Sequence, residues 1–212
     1  MFTGIVQGTG RITAINEQPG LRSLELSADA SLLTDLAIGA SVALDGVCLT
    51  VTRFTAETVS FDVMQQTLKT TALDAWQPGQ RVNIERSARY GDEVGGHVVS
   101  GHIDAVAEIV AMRSPANNRE IDFRVDRALL PCILPKGFIA LNGCSLTVAE
   151  VDRETSEFRI CLIPETLRAT TFGEKAIGDR INLELDRQTQ AIVNTVRLYL
   201  DEHRDQLITG RN

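Results

Sequence analysis

The stretch GASVALDGVCLTVT, residues 39–52, returns as KGFIALNGCSLTVA at residues 136–149. Six of the fourteen positions are identical at an offset of 97, among them Gly46/Gly143 and the Leu-Thr-Val run. TLKTT at 67–71 matches TLRATT at 166–171, and GQRVNIER at 79–86 matches GDRINLEL at 178–185, both at an offset of 99. Chance accounts for one such match, not for three in the same order. A period this long does not build a solenoid; it means two like domains. Run backwards, the offset of 97 lays Met1 on Val98, Thr3 on Ser100, Gly4 on Gly101 and Ile12 on Ile109. The seam therefore falls inside GGHVVSGHID, residues 95–104, with no Ser/Gly/Pro linker, so tight placement of the halves is expected. The expected domains are 1–97 and 98–186, followed by a C-terminal segment 187–212.

Each half reads as strands. TVSFDVM at 58–64 sets Val59, Phe61 and Val63 against Ser60, Asp62 and Met64, the period of a half-buried strand. Asp45-Gly46 separates two β-rich runs, a hairpin signal that its copy repeats with Asn142-Gly143. Short strands with frequent turns indicate a sandwich or small barrel. QQTLKTTALDAW and PETLRATTFGE read as short helices, with Pro164 suited to a first turn. Each half is expected to be a small closed β-barrel with one short helix. After Asp186, a plausible N-cap, Ile192, Val193, Val196, Tyr199, Leu200, His203 and Leu207 share one helical face. Such a helix either folds back on a barrel or serves self-association; the second is expected.

Composition narrows the partners. A net charge of −7, from 21 Lys+Arg and 28 Asp+Glu, disfavours nucleic acid or an anionic membrane. At 43% apolar and 23% charged residues, the chain can bury a real core. No apolar run approaches the ~20 residues of a membrane helix. MFTGIVQGTGRITAI lacks a basic region before a long apolar run, so it does not read as a signal peptide. Cys48, Cys132, Cys144 and Cys161 form no CxxC; reduced thiols in a cytoplasmic protein are expected.

Single residues give less. His97 and His102 are five apart, which suits neither a helical metal pair nor two ligands on one strand face. They either hydrogen-bond at the seam or move protons. Cys48 pairs with Ser145 across the repeat, Thr50 with Thr147, and Thr67 with Thr166. Alone, each is an ordinary strand or cap residue; paired, they outline two related polar pockets. GxGxxG, GxxxxGK[ST] and GxSxG motifs are all missing, so neither a nucleotide-phosphate enzyme nor a serine hydrolase is supported. The residues alone leave an enzyme, a small-molecule binding protein and a structural oligomer open.

Six motifs in order resemble one family: MFTGIV at the start, GVCLTV (46–51), GGHVVSGHID (95–104), NGCSLTV (142–148), IPETLRATT (163–171) and DRQTQA (186–191). They are similar to the lumazine-binding family of riboflavin synthases over essentially the whole chain. The resemblance implies an all-β fold of two tandem six-stranded Greek-key β-barrels plus a C-terminal α-helix. It implies that each barrel binds one 6,7-dimethyl-8-ribityllumazine. A four-carbon unit would pass between two such molecules, giving riboflavin and 5-amino-6-(D-ribitylamino)uracil, without cofactor or metal. It implies a homotrimer held by the C-terminal helices, with the site between one subunit's first barrel and its neighbour's second. It also raises lumazine synthase as a partner.

Carried over motif by motif, the first pocket would use Gly4, Ile5, Val6, Cys48, Leu49, Thr50, Asp62, Val63, Met64, Gln65, Gln66 and Thr67. The second would use Gly101, His102, Ile103, Lys136, Ser145, Leu146, Thr147, Cys161, Leu162, Ile163, Pro164, Glu165 and Thr166. Cys48, His102, Ser145 and Asp186 are the catalytic candidates, with Phe2 and Thr3 reaching into the site. The family also includes non-enzymatic antenna proteins, a binding-only alternative that departs from GVCLTV and GGHVVSGHID. A flavin reductase shares the barrel but requires a nicotinamide-binding α/β domain for which no residues remain.

Overall fold

The computed structural model describes residues 1–115 and 117–204. The first half forms strands β1 (Gly8–Gln18), β2 (Leu21–Ser27), β3 (Ser41–Leu44), β4 (Val47–Phe54), β5 (Thr58–Met64) and β6 (Arg81–Arg86). They close into an antiparallel barrel in the order β1-β2-β5-β4-β3-β6. The second half forms β7 (Ala105–Arg113), β8 (Arg119–Arg124), β9 (Phe138–Leu141), β10 (Cys144–Asp152), β11 (Glu157–Leu162) and β12 (Arg180–Leu185). Its barrel runs β7-β8-β11-β10-β9-β12 and closes through β12–β7, the same Greek-key order.

The repeat extends to fine geometry. Both β3–β4 and β9–β10 hairpins turn on two left-handed residues, Asp45 (φ 42°) with Gly46 (φ 81°), and Asn142 (φ 44°) with Gly143 (φ 78°). That is the turn whose twist matches paired strands, and it selects Asp/Asn-Gly. Register shifts fall at Ile12/Ala14 and again at Ile109/Ala111, then at Val51/Arg53 and again at Val148/Glu150. Each adds the local bend that a small barrel needs to close. Inward residues of each barrel form a separate core, with Leu26, Leu44, Phe61 and Val82 in one and Ile109, Phe123, Ile160 and Leu183 in the other.

Short helices fill the crossovers: α1 (Ala30–Leu33), α2 (Gln65–Thr70) and α3 (Pro164–Ala169). Helix α4 (Arg187–Glu202) leaves the second barrel, capped by Asp186, whose carboxylate accepts from the Gln188 and Thr189 amides. Only its start is packed. Val193 touches the second core, whereas Ile192, Val196, Tyr199 and Leu200 are exposed. Leu207 lies outside the described residues.

The barrels meet about a pseudo-twofold axis. Gly46 and Gly143 lie back to back; a Cβ on Gly46 would stand 2.7 Å from the Gly143 nitrogen. Buried Asn83 donates to the Asn142 carbonyl (2.9 Å) and accepts from the Thr171 amide (2.8 Å). Its repeat mate Asn182 donates to the Asp45 carbonyl (2.9 Å) and accepts from the Ala72 amide (2.7 Å). Each satisfied bond contributes about 1 kcal/mol net, and each would cost more than that if left open.

Candidate active site

Two segments cross between the barrels. Phe2 and Val99 exchange backbone hydrogen bonds of 2.8 and 3.0 Å on the pseudo-twofold axis. Beyond this bridge, the Gly4 carbonyl accepts from the Ser145 amide (2.8 Å), and the Gly101 carbonyl accepts from the Cys48 amide (2.9 Å). The approach demands glycine. Both residues have positive φ, and a Cβ would sit 2.5 Å from the Ser145 or Cys48 Cβ. Val6 then packs against the second core and Ile103 against the first. The sequence assigns Gly4–Val6 to the first barrel's pocket and Gly101–Ile103 to the second; the structure exchanges them. The two leading segments pair with each other, and that pairing carries each one across to the opposite barrel.

Ser145 begins the second barrel's SLTV run. Its Oγ lies 2.6 Å from Nδ1 of His97. The imidazole is 8% exposed and stacked on Phe138, with centroids 5.1 Å apart and planes 15° apart. Gly96 gives the histidine its seat, since a Cβ there would fall 2.4 Å from the Thr3 carbonyl oxygen. Burial pushes the His97 pKa down, against the pull of the Asp186 and Glu184 carboxylates. The ring is therefore neutral at pH 7; with its proton on Nε2, Nδ1 accepts the serine O–H. Burial works to raise the Asp186 pKa, but the Thr189 hydroxyl and amide and the Gln188 amide outweigh it and hold the group ionised. At the equivalent place in the first barrel, Cys48 is half-buried, and among the described residues no histidine bonds it. His102 is exposed, its amide held by the Ser100 hydroxyl at 3.2 Å.

The remaining candidates split by strand alternation. Leu49, Val63 and Leu162 point into the cores, so only their backbones can face a ligand. Thr50, Asp62, Gln65, Gln66, Lys136, Thr147, Cys161, Pro164 and Glu165 are exposed; Thr67, Leu146 and Thr166 are half-buried. Asp62 is already engaged by the Ser23 hydroxyl at 2.7 Å. Met64 and Ile163, equivalent in the repeat, are 65% and 61% exposed immediately before α2 and α3. Exposed apolar side chains at both places, beside the polar rim, suit a flat heterocycle.

The Lumazine binding domain family matches twice, over residues 3–87 and 100–186. The chain is 48% identical over 201 residues to riboflavin synthase of Escherichia coli (strain K12), covering 94% of this chain and 93% of that one. It belongs to the riboflavin synthase family. Riboflavin synthase of Chlamydia pneumoniae is 40% identical, over 94% of this chain and 97% of its own. That of Bacillus subtilis (strain 168) is 38% identical, over 88% and 85%. Among solved structures, LumP complexed with riboflavin superposes with a TM-score of 0.82 at 25% identity, over 88% of this chain and all of that one. LumP complexed with 6,7-dimethyl-8-(1'-D-ribityl) lumazine gives 0.80 at 24% identity, a likeness of fold.

In this riboflavin synthase family chain, the sequence alone marks neither His97 as a catalytic candidate nor Phe138 as part of the site. His97 has an ordinary role open to it at a seam, and only closure of the barrels brings it to Ser145. Phe138 did carry a signal: an aromatic residue at the exposed first position of a strand. A concavity of about 520 Å³ lies elsewhere, along the barrel seam beside Trp76, Arg81, Lys175 and Arg180. Arg81 pairs with Glu174 and Arg180 with Asp74, so its guanidinium groups are already engaged.

Proposed function

We propose that this chain is a riboflavin synthase, a transferase that dismutates 6,7-dimethyl-8-ribityllumazine. Two molecules give riboflavin and 5-amino-6-(D-ribitylamino)uracil by transfer of a four-carbon unit. The observation that carries this reading is a site built twice but made chemically unequal. One copy presents a hydroxyl bonded to a neutral histidine, and the other a thiol without one. A reaction between two identical substrates needs such a difference, because one molecule must act as donor and the other as acceptor. As water or another nucleophile adds at C7 of one lumazine, its proton passes to Ser145 Oγ while the Ser145 proton passes to His97, and ionised Asp186 stabilises the imidazolium that forms. Deprotonation of the other lumazine's C7 methyl falls to the Cys48 and His102 side. In this reading Asp62, Thr67 and Thr166 bind ribityl hydroxyls, and strand backbones read the pyrimidinedione edge. Stacking the two ligands in a near-attack arrangement supplies much of the rate.

The purified chain, incubated with the lumazine alone in chelator, is expected to produce riboflavin fluorescence and the pyrimidine in equal amounts. Tight binding without turnover would leave a binding-only protein resembling the antenna members of the family.

The assembly in this proposal is a homotrimer in the cytoplasm, with α4 as its contact and active sites between subunits. No helix among the described residues is long and apolar enough to cross a membrane. The exposed face of Ile192, Val196 and Tyr199 lacks a cover among the described residues. Changing Ile192 and Val196 together to Asp is expected to give a smaller species by light scattering. An unchanged mass would mean that the barrels alone hold the oligomer. Point changes are preferable to truncation, because Arg187 bonds Asp104 (2.9 Å) and the His102 carbonyl.

A further inference from the structure

The two crossing segments are each held by one buried carboxylate. Glu85 Oε1 accepts from the Thr3 amide (2.6 Å) and hydroxyl (2.8 Å), and its Oε2 accepts from the Gly4 amide (3.1 Å). Glu184 repeats the pattern: Oε1 takes the Ser100 amide (2.7 Å) and hydroxyl (2.6 Å), and Oε2 the Gly101 amide (2.9 Å). The two residues are 3% and 1% exposed. Burying a carboxylate is costly unless its oxygens are filled, and here the partners are amides and hydroxyls of the crossing segments rather than groups of the barrel wall.

The register shows what the carboxylates organise. Glu85 lies opposite Ala43 and Ala43 opposite Cys48, so the three form a row across β6, β3 and β4. Glu184, Ala140 and Ser145 form the matching row across β12, β9 and β10. Small alanines in the middle leave room for Phe2 and Val99, which pack there beside Cys48. Gly4 is thus held by its amide to Glu85 of its own barrel and by its carbonyl to Ser145 of the other. Gly101 is held likewise between Glu184 and Cys48. Each peptide is a strut whose two ends sit on different barrels.

We infer that Glu85 and Glu184 are positioning residues: each seats one strut and so fixes where Ser145 or Cys48 stands relative to the opposite barrel. This rests on the proposed function for its catalytic meaning, but the strut itself can be observed without turnover. The two carboxylates differ in one respect. Arg187 lies 3.6 Å from Glu184, whereas Glu85 has only neutral donors among the described residues. The repeat mate of Arg187 is Ala88.

The test is Glu85→Gln. The amide keeps the shape and one acceptor, but it sets an N–H₂ against the Gly4 N–H, donor against donor. Hydrogen exchange at the Ser145 amide reads the strut, because that amide donates to the Gly4 carbonyl. The expected result is faster Ser145 exchange, a kcat lower by at least about tenfold, and a lumazine Kd within about threefold of the parent. Unchanged exchange at Ser145 overturns the strut. Faster exchange with unchanged kcat overturns the positioning role. If the parent chain binds the lumazine without turnover, the proposed function fails and the exchange result alone decides the strut. Thr3→Ala, which removes the hydroxyl's bond to Glu85 and the 3.3 Å bond it accepts from the Ile5 amide while leaving both amide bonds to Glu85, is the second variant should Glu85→Gln not fold; it is expected to shift Ser145 exchange in the same direction, and no shift would overturn the strut.

Discussion

Ser145→Ala is expected to lower kcat by about two orders of magnitude, with lumazine affinity nearly unchanged. His97→Gln is expected to lose a similar factor. Glutamine can keep a hydrogen bond to the serine but cannot take its proton. The double variant should fall little further than either single one, because the two groups act as one unit across a 2.6 Å bond. The pH profile adds a second reading. Burial lowers the His97 pKa, so the base stays neutral below the ordinary histidine range, and the acid limb of kcat should lie correspondingly low. That limb should disappear in His97→Gln. Steady-state kcat and fluorescence Kd across pH provide the measurement. Undiminished turnover in Ser145→Ala would reduce the hydroxyl to a filler of space, and multiplicative losses in the double variant would separate it from His97.

Asp45→Asn is expected to stabilise the protein, most strongly above pH 6. Asp45 is 2% exposed in its turn, and its Oδ1 accepts from the Asn83 amide at 2.8 Å. Burial raises its pKa from 3.8 to about 6, against the lowering effects of Lys175 and the Asn83 amide. A carboxyl whose pKa is higher folded than unfolded favours the native state least once both forms are charged. Stability is therefore lost as pH rises from about 4 to about 6, and a shift of roughly two pKa units amounts to ~3 kcal/mol. Asn142 already shows the neutral solution, with the same left-handed backbone and a 2.8 Å bond from the Asn182 amide. Thermal unfolding should show a Tm gain of several degrees at pH 7 that vanishes near pH 4. An equal gain at both pH values would rule out the charge as its cause.

Much of this was legible in the linear chain, for identifiable reasons. The duplication was visible because Gly46/Gly143 and Asn83/Asn182 kept their identities, and both pairs proved to lie where the barrels touch. The hairpins were visible because left-handed turns accept few residues. Strand alternation anticipated Val59, Phe61 and Val63 as core. The exposed stripe on α4 was readable up to the last described residue.

What the sequence by itself determined is the local and the periodic: strands, turns, the helix and its cap, the count of two domains, and the pairing of Cys48 with Ser145. The strands, turns and helix depend on neighbours in the chain, so their signals lie within a few residues of each other; the domain count and the Cys48/Ser145 pairing come from the repeat at an offset of 97. Only the tertiary structure decided which barrel each leading segment serves, that His97 rather than His102 faces Ser145, and that Glu85 and Glu184 hold the crossing. Each is a contact across 48 to 141 residues of chain, from His97–Ser145 to Gly4–Ser145. It exists because two closed barrels face one another about an axis, and no local pattern records where that axis runs.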